Sequence, residues 1–265
     1  MKKATTKKSF IESISLISVC FNQVDYLDDF FNSFLQVYGE MPYPILIADN
    51  ASQDDSYKRL KYWKNILGDN VRLIRNTENV GFAKANNQLA KICESDLLVF
   101  LNPDVTFNTD FINPCAQTSK LFQALIAPKL CDAIHGHYKH YAPFPDDPMG
   151  LLKEIGYLFL PYFETISVDW LQGACWFLPR TVFNEINGFD ESYFLYTEDL
   201  EFCRNLKDKG IPRFLMNTQR VYHPRTRVSQ EKQKIIDQNL EYYFRNRDQS
   251  PWLLRNFLRQ VFSIR

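Results

Sequence analysis

The chain has 265 residues, of which 45% are hydrophobic and 15% aromatic, and its formal net charge is zero. This composition excludes a disordered or repeat protein and predicts a large globular domain with an ample core. No run of about 18 apolar residues is present, which argues against a membrane-spanning helix. The basic N-terminus lacks an apolar signal core and the six cysteines form no CxxC pair, so we expect a cytoplasmic protein with reduced thiols.

Positive charge is concentrated near the C-terminus. Residues 213–265 contain eleven Lys or Arg and four Asp or Glu. A basic region on a neutral protein favours an anionic partner, either a membrane surface or a nucleic acid. Because no nucleic-acid-binding motif accompanies this region, we expect no nucleic-acid partner.

The first hundred residues alternate between short apolar runs and amphipathic segments. This pattern predicts strands at residues 14–21, 44–48, 71–75 and 97–101, and helices at 25–37, 54–67 and 84–93. The resulting βαβαβαβ order is typical of an α/β fold, with a parallel sheet covered by helices on both faces.

Beyond residue 105 the alternation is less regular. We predict helices at 110–122, 181–186 and 198–209, and strands at 125–130, 168–178 and 212–222. Residues 131–166 show little periodicity and contain four prolines, which is typical of a lid or an acceptor loop. The C-terminal tail is predicted to be helical, in two pieces divided at Pro251.

Polar side chains follow three of the predicted strands. Asp49, Asn79 and Asp104 each come just after an apolar run. Because open α/β sheets bind ligands outside the carboxyl ends of their strands, these residues predict a polar pocket at one edge of the sheet. For Asp104, which follows Pro103, an ordinary turn after a strand is the structural alternative.

The way in which phosphates are held separates classes of nucleotide-binding protein. Rossmann and P-loop proteins use a glycine-rich loop after the first strand, but the first glycine here is Gly39. The same absence disfavours a nucleotidyltransferase, which would release pyrophosphate. A nucleoside diphosphate would then need a divalent metal, Mg²⁺ or Mn²⁺, held by carboxylate oxygens. Asp104 is the first candidate ligand, and His223, at the end of the last predicted strand, is the second.

A second acidic cluster, Glu198, Asp199 and Glu201, opens the predicted helix at 198–209, with Thr197 as its N-cap. Carboxylates in a first turn are favoured by the helix dipole, so ordinary capping is the alternative to a functional role. Four aromatic residues precede the cluster, at positions 189, 193, 194 and 196.

Six motifs in register resemble one known family. They are ISVCFN (17–22), ADNAS (48–52), NVGFAKANN (79–87), LNPDV (101–105), DWLQGACWFLPR (169–180) and NGFDESYFLYTEDLEFCRNLKDKG (187–210). Over residues 14–224 the chain resembles the rhamnosyltransferase-like branch of the family 2 glycosyltransferases. The resemblance implies a GT-A fold, a Rossmann-like α/β architecture with a mainly parallel central sheet, here with a C-terminal helical appendage.

The resemblance also implies a division of the chain. Residues 1–228 would form the catalytic domain, with a nucleotide-binding part at about 14–105 and an acceptor-binding part at about 106–228. Residues 229–265 would form basic amphipathic helices. In the segment 251–265, one helical face is apolar and the arginines lie away from it, which is typical of an interfacial helix. Docking of this segment on the catalytic domain or on a partner subunit is the alternative.

The implied donor site draws on several motifs. Asp49 would bind the pyrimidine or ribose of the donor beside Asn22. The nucleotide pocket would be shaped by Asn79, Gly81 and Asn87, and the donor sugar would be flanked by Gly173 and Ala174. Asn102 stands where the family's DxD metal motif has its first carboxylate, which leaves Asp104 and His223 as the metal ligands.

The implied catalytic residues are Asp199, as general base, and its neighbour Glu198. One base and no protein nucleophile imply a single displacement that inverts the anomeric carbon. The branch implies dTDP-L-rhamnose as donor and a polyprenyl-diphosphate-linked saccharide as acceptor, in surface polysaccharide synthesis (O-antigen, capsule or cell wall). Three alternatives stay open: a UDP-hexose transferase, a UDP-galactofuranose transferase, and a GT-A-like protein that binds nucleotide sugars without turnover.

This reading places the protein on the cytoplasmic face of the inner membrane as a peripheral enzyme. The membrane surface and a second copy of the chain, as a homodimer, are the further partners that we expect.

Overall fold

The computed structural model of the chain describes residues 13–132, 136–158, 164–224 and 229–247. The tail segment 251–265, with its predicted interfacial helix, lies outside these residues. In the described part, the strands are β1 Ile14–Cys20, β2 Ile45–Asp49, β3 Val71–Arg75, β4 Leu97–Leu101, β5 Leu125–Asp132, β6 Gly136–His137, β7 Tyr141–Ala142, β8 Thr165–Ser167, β9 Trp170–Leu171, β10 Cys175–Pro179 and β11 Arg213–Tyr222. The α-helices are α1 Val24–Tyr38, α2 Ser56–Leu67, α3 Phe82–Ile92, α4 Ile112–Phe122, α5 Gly150–Leu158, α6 Arg180–Glu185, α7 Glu198–Asp208 and α8 Gln230–Asn246.

The main sheet has the strand order β3-β2-β1-β4-β10-β5-β11-β8, with β6 paired to β5. The four strands β3, β2, β1 and β4 pair in parallel, as does β11 with β5. β10 inserts antiparallel between β4 and β5, and β8 closes the far edge antiparallel to β11. The predicted α/β fold with a mainly parallel sheet is therefore confirmed.

The sheet lies between two layers of apolar side chains. β4 is buried along its whole length, so its successive side chains enter the cores on opposite faces. One face receives α1, whose Phe30, Phe31 and Phe34 lie on its inner side and are fully buried. The helix ends at Gly39, which adopts the left-handed conformation with φ 77°.

Two expectations about the second half of the chain are corrected. The strand predicted at 168–178 is broken into β9 and β10, because the chain turns at Gln172 and Gly173, where the amide of Ala174 bonds back to the Gln172 carbonyl. The segment 131–166, read as irregular, contains the end of β5, β6, β7, α5 and the start of β8. These elements are two to nine residues long, too short for a periodicity to stand out in the sequence.

The C-terminal helical piece is confirmed as α8, and it packs against the rest of the fold. Tyr243 and Phe244 are buried, and the Tyr243 hydroxyl donates to Asp146 Oδ1 at 3.0 Å. Arg247 donates to both carboxylate oxygens of Glu201, one at 2.5 Å, and to Asp208. The guanidinium of Arg247, which lies in the basic region expected to meet an anionic partner, is therefore paired within the chain.

Candidate active site

The carboxyl ends of β1, β2 and β4 lie side by side, and we call this the strand-end edge. β1 pairs in parallel with both β2 and β4, so Cys20, Asp49 and Leu101 end at the same side of the sheet. Asn22, Asn102 and Asp104 follow directly. The sheet topology therefore gathers these separate motifs at one edge, as α/β ligand sites require.

Asp49 is the most buried polar residue of this edge. It has no exposed surface, and neither carboxylate oxygen has a hydrogen-bond partner. The nearest cation is Arg75, with Nε 3.4 Å from Oδ2, and the Arg75 guanidinium also lies 4.1 Å from the centre of the Tyr57 ring. A shallow pocket beside them is lined by Ser52, Arg75 and three neighbouring residues. A buried acceptor without donors is where a ligand's N–H or O–H groups would bind.

Asn22 joins the loops that follow β1 and β2. Its backbone is left-handed, with φ 53°, and its amide donates to Ser52 Oγ at 3.0 Å. Its side-chain oxygen accepts from the amide of Gln53 at 2.8 Å. Asn22 lies beside the Asp49 loop, as the resemblance implies, and its side-chain oxygen is already used to shape that loop.

A third asparagine, Asn50, organises the loop after β3, and the sequence analysis missed it. It is buried, and its side chain accepts from Asn76 Nδ2 at 2.9 Å and donates to Asn79 Oδ1 at 2.8 Å. Asn79 also accepts from the amide of Gly81 at 3.0 Å. Asn79 thus holds the loop against Asn50. Asn50 could have been predicted from the ADNAS motif, because an asparagine that is buried beside a strand needs hydrogen-bond partners.

Gly81 and Asn87 contact the acid-bearing part of the chain and line neither pocket. Gly81 has φ 87°, and a Cβ there would lie 2.6 Å from the Phe194 carbonyl oxygen. Asn87 accepts from the Phe189 amide at 3.0 Å and donates to its carbonyl at 2.9 Å. These close contacts join α3 to residues 189–194, and the expectation that the two residues shape the nucleotide pocket stays a prediction.

The two predicted metal ligands meet. His223 Nε2 lies 3.5 Å from Asp104 Oδ1, and that oxygen is buried without a hydrogen bond. Burial raises the pKa of Asp104, and the nearby His223 partly opposes this. His223 Nδ1 lies 2.8 Å from the Tyr138 hydroxyl, which fixes the ring on its far side. Among the described residues, no group of three or more His, Cys, Asp or Glu is placed to hold a metal.

The donor set at Asp104 nevertheless fits a hard divalent cation. An orphaned carboxylate oxygen and one imidazole nitrogen would leave most coordination positions to phosphate oxygens and water. Mg²⁺ is commonly held by one or two carboxylates plus substrate phosphates and water, and Asp104 supplies a carboxylate oxygen of this kind, whereas the imidazole of His223 is a ligand more typical of transition metals.

A cavity of about 500 Å³ lies next to the strand-end edge, and we call it the acid cavity. Five residues predicted from the sequence line it: Asn102, Gly173, Ala174, Glu198 and Asp199. The amide of Asn102 donates to the Ala174 carbonyl at 2.9 Å. The structure thus joins the chain leaving β4 directly to the segment that carries Gly173 and Ala174.

Asp199 is held by backbone amides. Its Oδ2 accepts from the Gly173 amide at 3.1 Å and its Oδ1 from the Leu200 amide at 2.8 Å. A Cβ at position 173 would lie 3.1 Å from the Asp199 Cβ, so the glycine permits this close approach. Burial raises the pKa of Asp199, while the two amide bonds oppose that rise. An amide-held carboxylate with a pKa moved towards neutrality suits a general base.

Glu198 is the more buried of the two acids, and its Oε2 has no hydrogen-bond partner. Burial raises its pKa, and the adjacent Asp199 raises it further. Because two backbone amides donate to the Asp199 carboxylate while Glu198 Oε2 has no partner, we assign the negative charge to Asp199 and the retained proton to Glu198.

A strained turn aims the acid pair. Tyr196 and Thr197, directly before α7, both have left-handed backbones, with φ 67° and 70°, which costs on the order of 1–2 kcal/mol per residue. Thr197 stands at the predicted N-cap, but its side chain makes no capping bond. The turn is held instead from α8, where Asn239 Nδ2 donates to the carbonyls of Leu195 and Tyr196, both at 2.8 Å.

Two further segments form walls of the acid cavity: α8, to which the sequence analysis gave no site role, and part of the segment 131–166, which was read as a lid or an acceptor loop. Three α8 residues, Ile236, Leu240 and Phe244, line it. Pro143 and Pro145 also line the cavity, and they belong to the segment 143–148, here called the proline loop. The sequence signal for the α8 residues was their spacing of four, which places three apolar side chains on one face of the helix.

The family model described as "Glycosyl transferase family 2" matches residues 15–139. This match confirms the family resemblance that the sequence motifs carried. The match ends before the acid cavity's two carboxylates, so their roles rest on the geometry and on the motifs at 169–210.

Two curated relatives are rhamnosyltransferases. The N-acetylglucosaminyl-diphospho-decaprenol L-rhamnosyltransferase of Mycobacterium tuberculosis is 24% identical over 225 residues, covering 74% of this chain and 71% of the relative. The rhamnosyltransferase WbbL of Escherichia coli K12 is 26% identical over 128 residues, which are 44% of this chain and 48% of WbbL.

The fold matches that of solved GT-A glycosyltransferases. A crystal structure of GalNAc-T7 with UDP, GalNAc and Mn²⁺ superposes with a TM-score of 0.67 at 16% identity. The superposition covers 94% of this chain and 55% of GalNAc-T7, so the chain spans about half the length of that structure. Among the residues that the structure describes, no helix combines the length and apolarity needed to cross a bilayer.

Proposed function

We propose that this chain, which carries a family 2 glycosyltransferase sequence on a GT-A fold, is an inverting glycosyltransferase. It moves a sugar from a nucleotide-sugar donor to a hydroxyl group of a saccharide acceptor. The observation that carries the proposal is the pair of carboxyls, buried Glu198 and half-buried Asp199, in a cavity that opens beside the strand-end edge. A site suited to a nucleotide and a site suited to a catalytic general base are thus adjacent.

In this proposal the strand-end edge holds the donor. Asp49 accepts hydrogen bonds from the base or ribose, because its two oxygens are buried and lack donors. Asn22 and Asn79 shape the loops around it. The nucleotide-binding part, about 14–105, therefore binds the nucleotide, and the part at about 106–228 supplies the acids and the acceptor site.

Asp199 acts as the general base. An acceptor hydroxyl is a weak nucleophile until a carboxylate within about 3 Å removes its proton during attack on the anomeric carbon. The Gly173 and Leu200 amides orient the Asp199 carboxylate for this. Glu198, which retains its proton, donates a hydrogen bond into the same cavity. Gly173 and Ala174 flank the donor sugar, and a single displacement inverts its configuration.

Metal dependence is part of the proposal. Asp104 and His223 are the residues that would hold Mg²⁺ or Mn²⁺, since one offers an orphaned oxygen and the other a ring nitrogen 3.5 Å away. When bound, a divalent cation stabilises the negative charge that develops on the departing diphosphate. The Mn²⁺ in the GalNAc-T7 structure supports this choice.

The donor proposed first is dTDP-L-rhamnose, and the acceptor is a polyprenyl-diphosphate-linked saccharide of surface polysaccharide synthesis. Support comes from the names of the two rhamnosyltransferase relatives, one of which acts on N-acetylglucosaminyl-diphospho-decaprenol. A UDP-sugar is the second candidate donor, because GalNAc-T7 was crystallised with UDP. Such an acceptor would place the enzyme at the cytoplasmic face of the membrane. Binding of the basic tail to the membrane surface and formation of a homodimer stay predictions.

A thermal-shift screen of nucleotide sugars, with and without Mn²⁺, tests the proposal. A ligand that binds only the folded state adds stability as RT ln(1 + [L]/Kd), or about 2.7 kcal/mol at ~100 times Kd. We expect dTDP-rhamnose with metal to give the largest shift, and the Asp49→Asn variant to lose it. The matched control is Asp69→Asn, an exposed aspartate in the turn before β3. Absence of any shift with dTDP- and UDP-sugars would contradict the proposal.

A further inference from the structure

Trp170 begins β9 and lines the acid cavity together with Asp199. Its backbone pairs with that of Ala142 in β7, and β9 packs against α7, the helix that carries the two acids. Three residues after Trp170, the amide of Gly173 donates to Asp199 Oδ2 at 3.1 Å. The segment 170–173 therefore borders the carboxylate of Asp199.

The indole nitrogen of Trp170 is buried, although the side chain as a whole is only half-buried. Nε1 makes no hydrogen bond of ordinary geometry, and a buried N–H without an acceptor is unfavourable. Asp199 is the acceptor beside it: burial raises the pKa of Asp199, and the Trp170 side chain, with the Gly173 and Leu200 amides, is one of the donors that lower it. Hydrogen bonds of a catalytic group are often long in the free enzyme and tighten when substrate binds.

The charged and titratable groups around Asp199 come from several elements. They are Glu198, Tyr196, Cys203 and Asp169, with the Asp169 partners Lys153 and Arg213. The described lining of the acid cavity contains no Lys, Arg or His, and α8 and the proline loop contribute only apolar side chains to it. Lys153 and Arg213 are paired with Asp169 instead. The ionised form of Asp199 therefore depends on neutral N–H donors, and Trp170 is the side chain among them.

We propose that Trp170 is a positioning residue, whose indole N–H holds the Asp199 carboxylate ionised and oriented towards the acid cavity. This inference rests on the proposed function, because positioning matters only if Asp199 removes the acceptor proton. A carboxylate bound by backbone amides and by a side chain keeps one orientation, and its ionised form is the one that can act as a base. The role requires no contact with the donor, so donor affinity should not depend on Trp170.

Indole ¹H–¹⁵N NMR of the full chain, labelled with ¹⁵N-tryptophan, tests the contact without any need for activity. The chain has four tryptophans, and the Trp170 signal is the one that disappears in Trp170→Phe. We expect this signal to move with pH as Asp199 ionises, to stop moving in Asp199→Asn, and to keep moving in Glu198→Gln. Trp63, whose Nε1 donates to Asp28 at 2.8 Å, is the matched internal control, and its pH response should be the same in all variants.

The pH dependence of kcat/KM for sugar transfer is the second readout. Loss of a donor to the charged form raises the pKa of a carboxyl, so the acid limb of Trp170→Phe should move to higher pH by about one unit. Trp63→Phe, which removes an indole donor from Asp28, should leave the limb in place. A benzothiophene side chain at position 170, in which sulfur replaces the N–H, gives the same test with the ring shape retained should Trp170→Phe fail to fold. Calorimetric donor affinity should match that of the parent.

A Trp170 signal that does not respond to pH, or that responds equally in Asp199→Asn, would overturn the inference. An active transferase whose acid limb is the same with and without the indole N–H would also overturn it, while the proposed function would stand. A parent chain that neither binds nucleotide sugars nor transfers a sugar would remove the proposed function, and the positioning role of Trp170 would fall with it even if the indole and the carboxylate are in contact.

Discussion

The strand-end edge and the acid cavity are constructed in different ways. At the strand-end edge, loops that follow neighbouring strands bond to one another, as when Asn22 accepts from Gln53 and Asn50 bonds to Asn79. In the acid cavity, Asp199 is held by Gly173 and the turn before it by Asn239 on α8. The edge is thus a product of sheet topology, whereas the cavity depends on contacts between segments that no topology rule brings together.

The carboxylates of the two regions also differ in their hydrogen-bond donors. Asp49 has two buried oxygens without a donor, while Asp199 has an amide donor on each oxygen. A carboxylate without protein donors can accept hydrogen bonds from a bound ligand. A carboxylate oriented by backbone amides suits a catalytic residue. This comparison leads to four predictions, given from the largest effect to the smallest.

Replacement of Asp199 should cause the largest loss of transferase activity. Asp199→Asn removes the base but keeps the side-chain shape, so we expect transfer to fall by about 10²–10⁴-fold. The measurement is the initial rate of nucleoside diphosphate release in the presence of acceptor. Asp69→Asn, at an exposed position, should leave the rate unchanged. A rate within threefold of the parent would remove Asp199 from the mechanism.

The second largest effect is expected at Tyr138, whose hydroxyl contacts the ring nitrogen of His223 that lies away from Asp104. Tyr138→Phe removes the hydroxyl that lies 2.8 Å from His223 Nδ1, and such outer partners typically contribute 10–100-fold to metal affinity. We expect Mn²⁺ affinity, measured by calorimetry in the presence of a nucleoside diphosphate, to fall by about tenfold or more. Tyr26→Phe, at an exposed tyrosine, is the control. Unchanged Mn²⁺ affinity in the Tyr138 variant would show that Tyr138 does not orient a metal ligand.

The support of the strained turn gives a smaller effect. Asn239→Ala leaves the Leu195 and Tyr196 carbonyls without their α8 donor, which should lower the free energy of unfolding by about 1–3 kcal/mol. We also expect kcat to fall by roughly tenfold, because small misplacements of a reacting group are costly. Denaturant unfolding and steady-state kinetics measure the two effects. Gln238→Ala, at an exposed neighbour, should show neither, and a loss of stability without a change in kcat would confine Asn239 to folding.

The smallest effect is a dependence of stability on pH. Burial raises the pKa of Glu198 above its ordinary value of 4.5, so the folded state binds this proton more tightly than the unfolded state does. Stability from this group is complete below pH 4.5 and declines as pH rises towards the folded pKa. Glu198→Gln carries no such proton, so its Tm advantage over the parent should grow between pH 5 and pH 8. A constant Tm difference across this range would contradict the assignment of the proton.

The sequence predicted the first region better than the second, for physical reasons. Strand periodicity located β1 to β4, and the strand-end rule then predicted Asp49, Asn79 and Asp104 at one edge, whereas Asn22 came from the family resemblance. The hydrogen bonds between the loops of this edge were not predicted, because Asn50 is not part of a periodic pattern and its partners lie in another loop. The motifs at 169–210 led to Gly173, Glu198 and Asp199, which do line one cavity.

The rest of the acid cavity was hidden from sequence reasoning. β7, α5 and β9 are too short to have a clear period, so the proline loop appeared as an irregular segment. Helix α8 was visible as a helix, but its amphipathic character suits a membrane surface and a domain surface equally. Only the contacts of Asn239, Tyr243 and Arg247 show which surface α8 covers.

The central claim is that one region binds the donor and the other transfers the sugar. Calorimetric titration of Asp49→Asn and Asp199→Asn with the donor found in the nucleotide-sugar screen, alongside transfer rates for the same preparations, tests it most directly. We expect Asp49→Asn to lose donor affinity by more than tenfold, and Asp199→Asn to bind the donor like the parent while transferring at least 10²-fold more slowly. Loss of donor affinity in Asp199→Asn, or parental affinity in Asp49→Asn, would contradict the account.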